Sequence, residues 1–231
     1  MKVSLFITCL SDAIYPRVGE AMARLLARYG VQLNFPKVQT CCGQPSYNSG
    51  YWDETRAAAK TILKAFNDSD FVVSPSGSCT YMIHHYPELF KDEPEWLDSA
   101  RRLEQKTYEF TQFMVQVLGV TDVGASFPHT VTYHPSCHGT RLLGVKEEPM
   151  KLLGSVKGLQ LVPLPFAEDC CGFGGTFAVK MPDISGAMVT EKVDHIRETE
   201  AEVLVGLDMA CLMNIAGNLR YREEPVRVMH L

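Results

Sequence analysis

The chain has 231 residues, 46% hydrophobic and 21% charged, the balance of a folded protein with apolar material for one large core or two small ones, which argues against extended disorder. Its 22 basic and 27 acidic residues leave a net charge of −5, and no run of Lys and Arg could follow a phosphate backbone, so nucleic acid is a poor partner. Pro, Gly or a charge interrupts every apolar run before the roughly 18 residues that a bilayer span requires, and a soluble protein is expected.

Met1-Lys2 followed by an apolar run over 3–10 has the outline of a secretory leader. Asp12 and Arg17 follow too closely, no small-x-small cleavage site is present, and Cys9 belongs to a repeat described below, so a first buried strand is the expectation. Helical periodicity predicts helices over 17–29 and 51–66. Phe71-Val72-Val73, ahead of Cys79, reads as a buried parallel strand. A periodic segment over 95–118, closed by Gly119, predicts a long connecting helix. Gly124, Ser126 and Pro128 interrupt the pattern and place a boundary there, dividing the chain into halves 1–124 and 125–231. The second half repeats the scheme, with an apolar run before Cys137, helices over 149–156 and 184–199, and Val203-Leu204-Val205 ahead of Cys211. This alternation predicts an α/β fold of two halves related by a pseudo-twofold, each a small parallel sheet with flanking helices.

The eight cysteines show the same duplication. Cys9, Cys41-Cys42-Gly43 and Cys79 stand in the first half, and Cys137, Cys170-Cys171-Gly172 and Cys211 in the second. The intervening gaps are 31 and 36 residues in one copy and 32 and 39 in the other, and segment 3–9 matches 131–137 in apolar and small character, as an internal repeat requires. A disulfide framework is the weaker reading, because a chain of this size and composition needs no covalent staples. Clustered thiols are more often metal ligands or redox groups. In parallel sheets ligands gather beyond the carboxyl ends of the strands, where helix N-termini can lower thiol pKa values.

Four thiolates per half suit an iron–sulfur cluster or tetrahedral zinc. Neighbouring side chains on an extended chain point apart, so a vicinal pair closes more easily on a multi-metal cluster than on one zinc ion. Gly43 and Gly172, the latter within Gly172-Phe173-Gly174-Gly175, let the backbone approach such a group. A lone vicinal pair is usually two buried small hydrophobes; two pairs with matched outriders reverse that balance, although Cys9 and Cys79 retain plain burial as an alternative. His134, His138 and Arg141 near Cys137, Lys180 beyond the second glycine corner, and His84-His85 could face a carboxylate, and the plainer reading makes them helix caps and surface groups. No dinucleotide-binding glycine fingerprint follows a strand, so flavin or nicotinamide would sit on another subunit.

The arrangement of cysteine, Cys-Cys-Gly and cysteine, present twice, resembles the cysteine-rich CCG domain family, which includes the cysteine-rich subunit of heterodisulfide reductase and the iron–sulfur subunits of glycolate and glycerol-3-phosphate oxidising systems. The runs 170–177, Lys180-Met181-Pro182 and 208–214 are most similar to its lactate-utilising branch. The resemblance implies a cytoplasmic iron–sulfur electron-transfer subunit of a three-protein system oxidising L-lactate to pyruvate, with a ferredoxin-type iron–sulfur protein and a third subunit as partners. It implies that Cys9, Cys41, Cys42, Cys79, Cys137, Cys170, Cys171 and Cys211 hold one or two 4Fe-4S clusters. Met82 and Asn214 stand where the heterodisulfide reductase branch has a further cysteine, so this sequence supports four-thiolate rather than five-thiolate ligation. A glycolate-type subunit, a zinc-binding module and a thiol–disulfide redox module are the alternative readings.

Overall fold

Short β-branched and apolar runs, three of them followed by a helix-capping Thr8, Ser76 or Glu109, build two sheets. In the computed structural model, which describes residues 1–231, strands β1 (Lys2–Leu5), β2 (Gln32–Asn34), β3 (Phe71–Ser74) and β4 (Thr107–Glu109) form one, and β5 (Thr130–His134), β6 (Gln160–Val162), β7 (Val203–Gly206) and β8 (Arg227–His230) the other. All pairings are parallel, and the strand orders are β2-β1-β3-β4 and β6-β5-β7-β8. The chain divides into two compact units, Met1–Phe113 and Met114–Leu231, each holding one sheet. The α/β architecture of two similar halves read from the sequence is thus the architecture of the protein. Helices Pro16–Arg28, Trp52–Ala65, Glu147–Gly154 and Pro182–Glu198 fall on the four periodic segments. No helix is long and apolar enough to cross a membrane.

The central strands β1, β3 and β7 are almost wholly buried, as parallel strands covered on both faces must be. In the first unit Phe6, Ile62, Phe66, Val72, Ile83 and Phe90 are fully buried in one cluster, with Phe6 edge-on to Phe66 at 5.7 Å between ring centres. Each such side chain contributes about 1.5–3 kcal/mol by leaving water. Val131, Leu153, Val203 and Val205 form a corresponding cluster in the second unit.

The long helix expected over 95–118 is not one helix. It ends at Lys106, and β4 follows at once, pairing Val72 with Thr107 and Ser74 with Glu109. Thr107 Oγ1 donates to the Leu103 carbonyl at 2.7 Å while Lys106 Nζ ties the Asn67 and Ser69 carbonyls, both at 2.8 Å. A new turn then starts on a capping box in which the Glu109 carboxylate accepts from the amides of Thr111 and Gln112. Leu103, Thr107, Phe110 and Phe113 are all buried. Their spacing of three and four residues runs helical periodicity straight across a three-residue strand.

Candidate metal centres

In each sheet the chain turns first to one side of the leading strand and then to the other, so the switch point lies between β1 and β3, and between β5 and β7. Open parallel sheets bind ligands beyond the carboxyl ends of the strands at that crevice. Cys9 opens the helix Cys9–Ile14 just past β1, where the Thr8 hydroxyl caps by accepting from the Ser11 amide. Cys79 lies in the first turn of helix Gly77–His84 just past β3, and its amide donates to the Ser76 hydroxyl at 3.2 Å. Cys137 precedes the π-helical turn His138–Leu142 after β5, and Cys211 sits in the first turn of helix Met209–Tyr221 after β7. The outlying cysteines therefore flank both switch points.

The Cys-Cys-Gly corners reach the same crevices from the loops after β2 and β6. Gly43 and Gly172 have φ of +89° and +79°, a conformation that L side chains rarely adopt. A Cβ on Gly172 would lie 2.7 Å from the Ser185 carbonyl oxygen, so the corner is pressed against the N-terminal turn of helix Pro182–Glu198. The Ser185 hydroxyl donates to the Gly172 carbonyl at 2.8 Å, and Ser46 does the same for Gly43. The carbonyl of the second cysteine is held in both corners, by Tyr86 Oη on Cys42 and by Asn214 Nδ2 on Cys171, each at 2.8 Å.

The sulfurs meet. Cys9 Sγ lies 3.8 Å from Cys41 Sγ, and Cys42 Sγ lies 3.4 Å from Cys79 Sγ. The amides of Gly43 and Gly172 point at Cys41 Sγ and Cys170 Sγ, at 3.5 and 3.4 Å. Hydrogen bonds from Cys42 and Cys9 pull the Cys41 thiol down to about 3, and those from Cys137 and Cys171 pull Cys170 down to about 2. The donors Cys9, Cys42, Cys137 and Cys171 are pushed up, by holding their protons toward a neighbour and then by burial and thiolate repulsion. Each group thus presents a ready thiolate amid thiols whose protons a thiophilic cation would displace. The donor set fits such a metal: four soft ligands converge on a crevice that exposes backbone amides to sulfur.

The two groups differ in their surroundings. His134, the last residue of β5, is 2% exposed and neither ring nitrogen has a hydrogen-bond partner. One of its nitrogens and the sulfurs of Cys171 and Cys211 lie within 4.8 Å of one another. Burial first, and then the Lys192 cation, lower its pKa to about 4, so the ring is neutral. Lys192 is itself buried and spans the Phe166 and Ala167 carbonyls at 2.8 and 3.3 Å. Counting from the residue beneath each glycine corner, Lys192 is seven past Ser185 and Ile62 seven past Thr55; an apolar position of one half is cationic in the other.

Of the remaining polar candidates, His138 Nδ1 stands 3.4 Å from Cys137 Sγ. Arg141 turns outward to Glu168, Lys180 is exposed, His84 bonds the Thr107 carbonyl and His85 bonds Tyr47. These do not converge on a shared carboxylate site. A cleft of about 450 Å³ opens beside Pro135, but its lining is mainly apolar with Lys146 its one cation. Tyr86 and Lys192 carried no sequence signal, since a buried Tyr and a mid-helix Lys look ordinary until the fold places them beside the thiols.

The cysteine-rich CCG domain family matches residues 3–84 and 131–216, one stretch for each cysteine group. Lactate utilization protein A of Geobacillus thermodenitrificans is 58% identical over 231 residues, all of this chain and 97% of that one. The chain belongs to the lactate utilization protein A family. The Bacillus subtilis member of that family is 57% identical over the same 231 residues, again 97% of its length. Among solved structures, a hypothetical protein from Helicobacter pylori superposes with a TM-score of 0.68 over 99% of this chain at 11% identity. That likeness is one of fold, and this chain spans 47% of the Helicobacter pylori one.

Proposed function

We propose that the protein is an iron–sulfur electron-transfer subunit in the oxidation of L-lactate to pyruvate. Cys9, Cys41, Cys42 and Cys79 would hold one centre, and Cys137, Cys170, Cys171 and Cys211 the other. The observation that carries the reading is the gathering of thiols distant in sequence at the switch point of each sheet, in a family whose members are named for lactate utilization. An iron–sulfur cluster, when bound, supplies one-electron redox chemistry that a chain without a dinucleotide fingerprint otherwise lacks. The chain's own residues do the rest. The glycine corners bring amide dipoles to the sulfurs, Tyr86 and Asn214 fix the corner carbonyls, and Ser76 and Thr8 orient the helices that present the outlying cysteines. A ferredoxin-type iron–sulfur protein and a third subunit complete the proposed system, in the cytoplasm.

One observation favours zinc as the second reading. Sulfurs 3.4 and 3.8 Å apart match the edge of a tetrahedron built on Zn–S bonds of about 2.3 Å, which is about 3.8 Å, whereas a cluster needs wider spacing. The same distances are van der Waals contact between thiols that hold nothing. Iron and acid-labile sulfide assayed on protein purified without oxygen decide between the two. The proposal expects about four irons and four sulfides per occupied half, and stoichiometric zinc without sulfide would end it.

A further inference from the structure

His134 stands, in the repeat, where the first half has Phe6: segment 131–137 matches 3–9, with Cys137 on Cys9. Phe6 needs no explanation, being a fully buried core ring packed edge-on against Phe66. An imidazole in that place is different, because it brings two polar nitrogens to a site 2% exposed and neither has a hydrogen-bond partner. Unpartnered buried polar atoms are costly, and a phenyl ring would fill the space without that penalty. The residue type makes sense when something takes a nitrogen lone pair. The groups beside it are Cys171 Sγ and Cys211 Sγ, with all three ligand atoms inside 4.8 Å. A thiol is a weak hydrogen-bonding partner for imidazole, whereas a neutral imidazole is an ordinary ligand of both iron and zinc.

We propose that His134 supplies a nitrogen ligand to the metal centre of the second unit, beside Cys171 and Cys211, while the centre of the first unit is bound by sulfur alone. The inference rests on the reading that the thiol groups hold metal, and it makes the two centres of one duplicated chain chemically distinct. A tetrahedral zinc ion would take His134 in place of one of the four thiolates, whereas a cluster of several irons offers separate sites to sulfur and nitrogen donors.

The test counts nitrogen. The full chain is purified without oxygen, its metal identified, and its ligands read by X-ray absorption at the edge of that metal and, for a paramagnetic centre, by pulsed EPR of the reduced protein. Wild type should show one directly bound histidine nitrogen per chain. His134→Phe, which installs the first half's own residue, should lose it while the first-unit centre stays unchanged. His138, with Nδ1 3.4 Å from Cys137 Sγ, is the competing source, so His138→Ala must keep the signal. Should His134→Phe not fold, His134→Gln and the wild-type nitrogen count still decide. A wild-type protein with metal in both units and no bound nitrogen overturns the inference and leaves the metal reading intact, as does a signal that survives loss of His134. A chain that takes up no iron or zinc at all overturns the underlying reading and this inference with it.

Discussion

Replacing the glycine of the second corner, Gly172→Ala, separates a corner pressed against backbone from one pressed against a side chain. At φ of +79° the new residue sits in the left-handed region, at roughly 1–2 kcal/mol. Its Cβ would stand 2.7 Å from the Ser185 carbonyl oxygen and 3.1 Å from Met188 Cβ. The oxygen belongs to helix Pro182–Glu198 and cannot rotate away, so the corner must lift and lose its bond from the Ser185 hydroxyl, adding about 1–3 kcal/mol. The expected loss is about 2–5 kcal/mol in all. Gly43→Ala incurs the same conformational term, but its nearest contact is the Thr55 methyl at 3.0 Å, which yields by a small shift, and about 1–3 kcal/mol is expected. Urea titration of each reduced, metal-free variant, followed by circular dichroism, reads the difference. With slopes of about 1–3 kcal/mol/M, Gly172→Ala should lower the midpoint further than Gly43→Ala by several tenths molar or more. Equal midpoints, or the reverse order, would refute the claim that the second corner is fixed by helix backbone.

In metal-free reduced protein, Cys41 and Cys170, held down at about 3 and about 2, stay thiolate at pH 6, where an ordinary thiol near 8.5 is protonated. Mass mapping after brief iodoacetamide treatment at pH 6 should therefore find these two labelled first and the buried Cys42 and Cys171 last; labelling that rises uniformly only above pH 8 contradicts the hydrogen-bonded arrangement. Tyr86→Phe and Asn214→Leu each remove one donor to a corner carbonyl, and each should lower stability by about 0.5–1.5 kcal/mol and speed metal loss to a chelator. Lys192→Met strips two carbonyls of their donor and should destabilise by about 1–3 kcal/mol; a neutral result would mean those carbonyls find water instead. Glu109→Ala removes the acceptor of the capping box and should lower thermal stability by about 0.5–2 kcal/mol, measured calorimetrically.

The central strands and the covering helices were legible because burial writes itself into sequence: β-branched runs for strands shielded on both faces, and amphipathic stripes for helices shielded on one. The edge strands β2 and β6 were not, since Gln32–Asn34 and Gln160–Val162 are three residues long and partly exposed, too short for any period to show. At β4 the failure had another cause, because Leu103, Thr107 and Phe110 are all buried at helical spacing although the backbone changes between them. The positions of all eight cysteines were readable from duplication alone. The partners that distinguish the halves were harder. Phe6 and His134 differ in kind at one place in the repeat, and only the closeness of His134 to Cys171 and Cys211 separates it from the outward-facing Arg141 and Lys180.

Native mass spectrometry of the anaerobically purified chain tests the central claim most directly, because it weighs the bound group without releasing it. The account expects two equal increments, each the mass of four irons with four sulfides, one vanishing in Cys42→Ser and the other in Cys171→Ser. Increments of single zinc ions, or a bare polypeptide mass from protein never exposed to air, would contradict it.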